Sequence, residues 1–168
     1  MIQERFLDNG DKGVKITAVE ESDFSEVMAL IKAEFPYVSF DKARIKKRVA
    51  SGRIFLFKAV EAKKLVGFIE LELFESIARV NGLTVKPSFR KKGVAKKLLD
   101  YAVAFLKKKG IERILLLVKQ SNKTAKKLYK EFGFRFIGMY HRELDNAVVE
   151  EMELDFSPKE EEDLDYVG

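Results

Sequence analysis

The sequence predicts an α+β protein in which a mixed, mostly antiparallel central sheet is flanked by helices. Strand-like and helix-like periodicities alternate in the order strand, two helices, three strands, helix, strand, helix, two strands. No internal repeat or interior linker interrupts this order. At 168 residues and 46% hydrophobic side chains, the chain has the size of one domain, and we assign residues 1–156 to it.

The first half of the chain is predicted to form one strand, two helices and three strands. Residues 13–19 alternate as a strand, and Asp23 with Glu26 has the spacing of a capping box that opens a helix. Asp41 is expected to cap a second helix. The three strands that follow are predicted at residues 54–60, 65–73 and 77–85.

The dipeptide Asn81-Gly82 lies inside the last of these strands and has two interpretations. Asn-Gly is a favoured two-residue hairpin turn, so the spacing alone favours a split of the strand in two. The alternative is a bulge within one strand, where Gly82 supplies an unusual backbone angle.

The second half is predicted to form helix, strand, helix and a closing strand pair. Apolar residues at helical spacing begin at Val94 and end at Gly110. Residues 114–118 are nearly all apolar, which is typical of a strand buried on both faces. Ser121 or Asn122 caps the next helix. The closing strands are expected at residues 134–139 and 147–154, around the turn Leu144-Asp145-Asn146.

Composition excludes several classes of site. The chain has no cysteine, which excludes disulfides, thiolate metal sites and cysteine nucleophiles. His141 is the one histidine, which disfavours a histidine metal cluster or a Ser-His-Asp triad, so no metal is expected. No apolar run reaches the roughly 20 residues that span a bilayer, and the N-terminus lacks a signal-peptide core. We therefore expect a cytoplasmic protein without a membrane partner.

Charge is unevenly distributed along the chain. Residues 157–168 carry a net charge of −4, and we predict that they form an acidic, disordered tail. The remaining residues carry +9, which favours anionic partners or, alternatively, a solvated charged surface. A nucleic-acid-binding module is the less favoured alternative, because the lysines are dispersed and no known binding motif occurs. The sequence does not determine the oligomeric state, and a homodimer is one state that it permits.

The stretch PSFRKKGVAKKLL combines cations and a glycine at the start of a predicted helix. Unpaired amides at a helix N-terminus attract anions, and a glycine lets a phosphate approach the backbone. Gly93 and Ala95 supply small residues there, and neighbouring lysines add positive potential. A solvated turn is the alternative, since neither GxGxxG nor GxxxxGK[ST] occurs.

The wider stretch LTVKPSFRKKGVAKKLL resembles the central motif of the GNAT family, the GCN5-related N-acetyltransferases. The matching positions are Leu83, Val85, Pro87, Arg90, Gly93 and Ala95. The stretch SNKTAKKLYKEFGF is similar to the family's second signature at Asn122, Ala125, Tyr129, Gly133 and Phe134. The ending EEMELDF resembles the family's last strand, and the element order matches over about residues 13–156. The resemblance implies the acyl-CoA N-acyltransferase fold and favours the bulge at Asn81-Gly82.

The resemblance also implies an enzyme that transfers acetyl from acetyl-CoA to a primary amine: a protein N-terminus, a lysine or a small amine. The pantetheine arm is expected along Leu83, Thr84 and Val85. The pyrophosphate is expected on the amides of Arg90, Lys91, Lys92, Gly93, Val94 and Ala95. Further cosubstrate contacts are expected from Asn122, Ala125, Lys126 and Tyr129.

The catalytic roles are partly assigned by the resemblance. Tyr129 matches the family's general acid, although its apolar helix face also fits a core aromatic. Asn81 is expected to position a water that relays a proton. No base is assigned, because Leu117 fills one family base position and Glu70 and Glu72 are interpreted as surface carboxylates.

The walls of an acceptor site are expected from the first helices and from the closing strand pair. They are Phe35, Tyr37, Phe40 and residues 142–146, and we expect His141 to face solvent. Because no general base is identified in the sequence, a non-catalytic acyl-CoA-sensing protein of the same fold is the alternative to an enzyme.

Overall fold

The computed structural model describes residues 13–39 and 41–159. Over these residues seven strands form a mixed sheet and four α-helices flank it, which confirms the predicted fold class. The strands are β1 (Val14–Ala18), β2 (Ile54–Glu61), β3 (Lys64–Phe74), β4 (Ile77–Val85), β5 (Arg113–Lys119), β6 (Arg135–Met139) and β7 (Val149–Asp155). The helices are α1 (Phe24–Glu34), α2 (Lys42–Ala50), α3 (Val94–Lys108) and α4 (Lys123–Glu131).

The strand order in the sheet is β1-β2-β3-β4-β5-β7-β6. Pairing is antiparallel between β1 and β2, between β5 and β7 and between β6 and β7, whereas β4 and β5 run parallel. Parallel neighbours need a crossover connection, and α3 is the helix in that connection. None of the helices in the described residues is long and apolar enough to cross a membrane.

The chain divides into two compact units. Among the described residues, the first comprises those up to Leu71 together with Gly82–Ala104, and the second comprises Glu72–Asn81 together with residues 105–159. The first unit has an apolar cluster formed by Phe24, Val27, Leu30, Ile31, Ile45, Ile54, Leu56, Leu65 and Phe68. The assignment of residues 1–156 to one domain stays a prediction. Residues 160–168 of the predicted acidic tail lie outside the described residues.

Helix capping in the first unit agrees with the sequence at α2 and differs at α1. Asp41 caps α2 as predicted, because its carboxylate accepts the Arg44 amide at 2.7 Å. The predicted box of Asp23 with Glu26 is wrong, since a 3-10 turn precedes α1 and moves the box upstream to Glu20 and Asp23. The Asp23 carboxylate accepts the Glu20 amide at 2.7 Å and the Lys58 ammonium at 2.6 Å.

The Asn81-Gly82 dipeptide lies within the continuous strand β4, so the hairpin alternative is wrong and the single strand is confirmed. Gly82 does not use the left-handed region that the bulge interpretation invoked, since its φ lies outside that range. Parallel pairing with β5 covers Ile77 to Val80 and ends at the pair Val80 and Leu116.

Gly67 on β3 marks a close approach of two backbones in the first unit. A Cβ added there would lie 2.7 Å from the Thr84 carbonyl oxygen and 3.3 Å from the Val85 Cα. These are backbone atoms, so they cannot give way as a flexible side chain would.

Gly67→Ala is therefore expected to destabilise the protein by about 2 kcal/mol in the free energy of unfolding, measured by urea titration. Gly82→Ala is the matched control, because a Cβ there meets no atom within 4 Å, and its change should stay within about 0.5 kcal/mol. Equal stability of the two variants would show that the strands separate at no cost.

The strand β5 in the second unit is buried on one face rather than on both, so that prediction is wrong. Ile114, Leu116 and Val118 are buried, whereas Leu115 and Leu117 are only half-buried. Leu115 and Leu117 line a small cleft, which leaves them partly exposed.

The last elements of the second unit follow the prediction closely. Asn122 caps α4, because its side-chain oxygen accepts the Ala125 amide at 3.1 Å. The turn between β6 and β7 closes at Asp145 and Asn146, which have φ values of 52° and 54°. Positive φ at both central residues is the signature of a tight two-residue turn.

Candidate active site

The first unit contains the segment from the end of β4 to the start of α3. A 3-10 turn, Pro87–Phe89, follows β4, and the Arg90 amide donates to the Pro87 carbonyl at 3.3 Å. That amide is therefore already used inside the turn. Of the predicted pyrophosphate donors, it is the one that has an internal acceptor.

The backbone beyond Arg90 is shaped to expose its amides. Lys91 and Gly93 both lie in the left-handed region, with φ of 62° and 78°. The amides of residues 91–96 have no acceptor among the described residues. Such a run of unpaired N–H groups at the positive end of a 15-residue helix is the type of backbone that binds anions. Its donor set fits a pyrophosphate.

The Arg90 side chain serves the segment itself. Its Nε donates to the Val85 carbonyl at 2.9 Å, and its guanidinium pairs with Glu34 of α1 at 2.7 Å. Arg90 thus fixes both the strand end and the turn. The side chains of Lys91 and Lys92 stay exposed, with Lys92 Nζ 5.5 Å from the centre of the Phe89 ring.

The strand end predicted to run beside the pantetheine is largely buried. Thr84 and Val85 are 6% and 7% exposed, and Leu83 is half-buried. Arg90 occupies one lone pair of the Val85 carbonyl, which leaves the second for another donor.

The second unit contains Tyr129, on the buried face of α4. Its ring lies 5.8 Å from the Phe134 ring, centre to centre, and the side chain is 8% exposed. Burial raises the pKa of Tyr129 to about 12, because the phenolate would be poorly solvated. The hydroxyl makes no hydrogen bond with a described residue, and it is not sealed from solvent. The ring is thus a core aromatic, while its hydroxyl is still available to a ligand.

The other residues of the second signature are engaged within the second unit. Asn122 caps the helix, and Ala125, whose amide it accepts, is half-buried. Lys126 Nζ lies 3.0 Å from the buried Glu150 carboxylate and 3.4 Å from the Gln120 carbonyl oxygen. The charge of Lys126 is therefore compensated by Glu150.

The predicted surface carboxylates have different environments. In the second unit, Glu72 is half-buried and accepts the Asn81 side-chain amide at 2.9 Å. In the first unit, Glu70 is 7% exposed, so the prediction of a surface carboxylate is wrong. Two hydrogen bonds from Arg48, at 2.5 and 3.2 Å, explain how Glu70 tolerates burial.

A small cleft on the second unit was not predicted from the sequence. Its volume is about 20 Å³, and it is lined by Arg79, Leu115, Leu116, Leu117, Tyr140 and Glu151. Glu151 faces it because β7 pairs antiparallel with β5 and sets Glu151 opposite Leu117. The sequence signal was the run EEMELD, since four acids in six residues are unusual on a strand, and the structure places this strand inside the sheet.

The residues predicted to form acceptor walls belong to both units, and their role stays a prediction. In the first unit, the Phe35 and Tyr37 rings meet edge to face at 6.2 Å, and Phe40 lies outside the described residues. In the second unit, Asp145 of the 142–146 segment pairs with Lys119 at 3.1 Å. His141 is exposed, as expected, with its ring 4.5 Å from that of Tyr140. No group of three or more potential ligand side chains for a metal occurs in the described part of the chain.

The sequence of this chain is similar to one family model and to individual proteins. The model of the acetyltransferase (GNAT) family matches residues 22–134. The chain is 30% identical over 122 residues to a [ribosomal protein bS18]-alanine N-acetyltransferase of Haemophilus ducreyi, which covers 73% of this chain and 83% of the relative. It is 37% identical over 71 residues to a spermidine N(1)-acetyltransferase of Thermoplasma acidophilum, which covers 42% and 44%.

A solved structure shares the fold. The PaiA N-acetyltransferase of Thermoplasma acidophilum, in complex with coenzyme A, superposes with a TM-score of 0.69 at 22% identity. The superposition covers 85% of this chain and 99% of that chain.

Proposed function

This chain belongs to the acetyltransferase (GNAT) family, and we propose that it moves an acetyl group from acetyl-CoA directly to a primary amine. N-acetyltransferase activity with acetyl-CoA as cosubstrate is the family's chemistry. We also propose which amine is the acceptor and which residues bind the cosubstrate and transfer protons.

The observation that carries the proposal is the run of unpaired amides at residues 91–96. Two left-handed residues, Lys91 and Gly93, turn these amides outward at the N-terminus of α3. A pyrophosphate is the part of acetyl-CoA that such a donor set suits. We assign the pyrophosphate to this segment and the pantetheine to Leu83, Thr84 and Val85.

The proposed transfer proceeds in one displacement. The neutral amine nitrogen attacks the thioester carbon, the new C–N bond forms, and the C–S bond breaks. Tyr129 gives its hydroxyl proton to the departing thiolate sulfur, which a phenol of raised pKa can do across the neutral range. The acylated nitrogen loses its extra proton to solvent, and solvent returns one proton to the Tyr129 oxygen. Asn122, Ala125 and Lys126 position the helix that carries Tyr129.

We propose that the acceptor is the N-terminal amine of a protein. The relative named as a ribosomal protein-alanine N-acetyltransferase matches 73% of this chain, compared with 42% for the relative named for spermidine. The cleft of the second unit carries one acid, Glu151, and one cation, Arg79. A polyamine, which is purely cationic, would be expected to require a surplus of acids.

An acceptor screen tests this proposal. With labelled acetyl-CoA, we expect transfer to a peptide with a free N-terminal alanine to exceed transfer to spermidine by at least about tenfold in kcat/KM. The same peptide with a blocked N-terminus and one internal lysine is the matched control. Preferential labelling of spermidine or lysine would overturn the acceptor assignment, and the absence of transfer to any amine would overturn the proposed function.

A further inference from the structure

We propose that Glu151 is the base that removes the proton from the acceptor amine, through one water held in the cleft beside Arg79. This inference rests on the proposed function and adds the proton acceptor that the sequence did not supply. It follows from the strand register, the size of the cleft and the charges around it.

The strand register places Glu151 at the point where the parallel strands stop pairing. The last pair is Val80 with Leu116, so Asn81 and Leu117 form the next row. Leu117 lies directly opposite Glu151 on β7. Side chains alternate along strands, so Asn81, Leu117 and Glu151 are on one face of the sheet in this unit.

The cleft has room for one water molecule. Its volume of about 20 Å³ exceeds the roughly 10–15 Å³ that a single water needs. Its leucines, 115–117, offer no side-chain hydrogen bonds, while Arg79, Tyr140 and Glu151 do. A water there has an acceptor in the Glu151 carboxylate and donors in the other two side chains.

Glu151 forms no ion pair with a cation in the described part of the chain, whereas Glu150 and Glu153 on the same strand do. Lys126 pairs with Glu150, and Arg113 and Arg135 pair with Glu153. On β5, Lys119 forms an ion pair with Asp145. The charged or titratable groups that line the cleft with Glu151 are Arg79 from β4 and Tyr140 after β6, and neither forms an ion pair with it. Glu153 lies on the same face of β7 and is neutralised by Arg113 and Arg135.

The proposed proton transfer involves the acceptor amine, one water molecule and Glu151. The ammonium form of the acceptor gives one proton to the water, and the water gives one of its protons to a Glu151 carboxylate oxygen. The amine is left neutral with its lone pair free to attack the thioester. Glu151 then returns the proton to solvent before the next turnover.

Glu151→Gln tests the inference with acetyl-CoA and the best acceptor of the wild type. We expect kcat to fall by about 10²-fold at pH 7, and the loss to shrink below about tenfold at pH 10, where solvent already deprotonates the amine. Affinity for acetyl-CoA should stay unchanged in calorimetry. Glu131→Gln, an exposed acid at the end of α4, is the matched control and should keep wild-type turnover.

A rescue variant separates catalysis from structure. Leu117→Glu in the Glu151→Gln background places a carboxylate on the opposite strand position of the same face, and we expect it to recover at least about tenfold in kcat. A pH-independent loss without rescue, or wild-type turnover by Glu151→Gln, would overturn the inference while the transfer reaction stands. A large loss in Glu72→Gln alone would assign the role to Glu72 instead.

Discussion

Gly93→Asp is expected to weaken acetyl-CoA binding by about 10³-fold, because it puts an anion where the pyrophosphate is assigned. The backbone at Gly93 has φ of 78°, which aspartate and asparagine adopt more readily than other side chains. A Cβ at this position meets no atom within 4 Å, so the fold has room for either side chain. Calorimetric titration of acetyl-CoA into the wild type and the variant measures the effect.

Gly93→Asn is the matched control, since it carries the same backbone strain and nearly the same shape without the charge. Its affinity should fall by no more than about tenfold. A second control uses acetylpantetheine, which lacks the pyrophosphate and should be used equally well by the wild type and by Gly93→Asp. Equal losses in the two variants, or unchanged binding by Gly93→Asp, would place the pyrophosphate elsewhere.

Tyr129→Phe is expected to lower kcat by about 10³-fold with acetyl-CoA affinity unchanged. The substitution removes only the hydroxyl, which has no hydrogen bond with a described residue, and it keeps the ring beside Phe134. Stability should therefore stay close to that of the wild type. Steady-state kinetics together with calorimetry separates the loss of turnover from any loss of binding.

The pH dependence of the wild type gives an independent check on the same residue. Burial raises the pKa of Tyr129 to about 12, so the hydroxyl keeps its proton where a free tyrosine would lose it near pH 10. The rate should rise as the acceptor amine loses its proton and show no fall below about pH 11. Tyr101→Phe, a tyrosine packed on Phe57, controls for the substitution itself. A descending limb near pH 10, or wild-type turnover in Tyr129→Phe, would contradict the assignment.

Much of the fold could be predicted because local signals and tertiary structure agree. Asp41 caps a helix through its own carboxylate, and the turn at Asp145 and Asn146 depends on two residues that tolerate positive φ. Asn81-Gly82 is the instructive exception, because a dipeptide that favours a hairpin lies inside a strand. Pairing with neighbouring strands outweighs a local turn preference of this size.

The part of the candidate site that depends on local backbone shape could be predicted from the sequence. The part that depends on the register between distant strands was harder to predict. The proposed anion-binding segment follows from a glycine at a helix start, which is local in sequence. Glu151 lies 34 positions beyond Leu117, and nothing local indicates that the two are opposite each other. The buried state of Glu70 likewise depends on Arg48, which reaches it from a different element.

The role of Arg90 as an internal brace has a consequence for how such a chain can diverge. Because that guanidinium is occupied by Val85 and Glu34, the proposed phosphate contacts come from peptide N–H groups, which every residue but proline provides. Phosphate binding would then depend on the backbone dihedral angles of this segment rather than on the identities of its side chains. Substitutions at Lys92 and the following helix positions can accumulate under drift while the ligand site persists, whereas an acidic residue at position 93 or the loss of Arg90 would erase it.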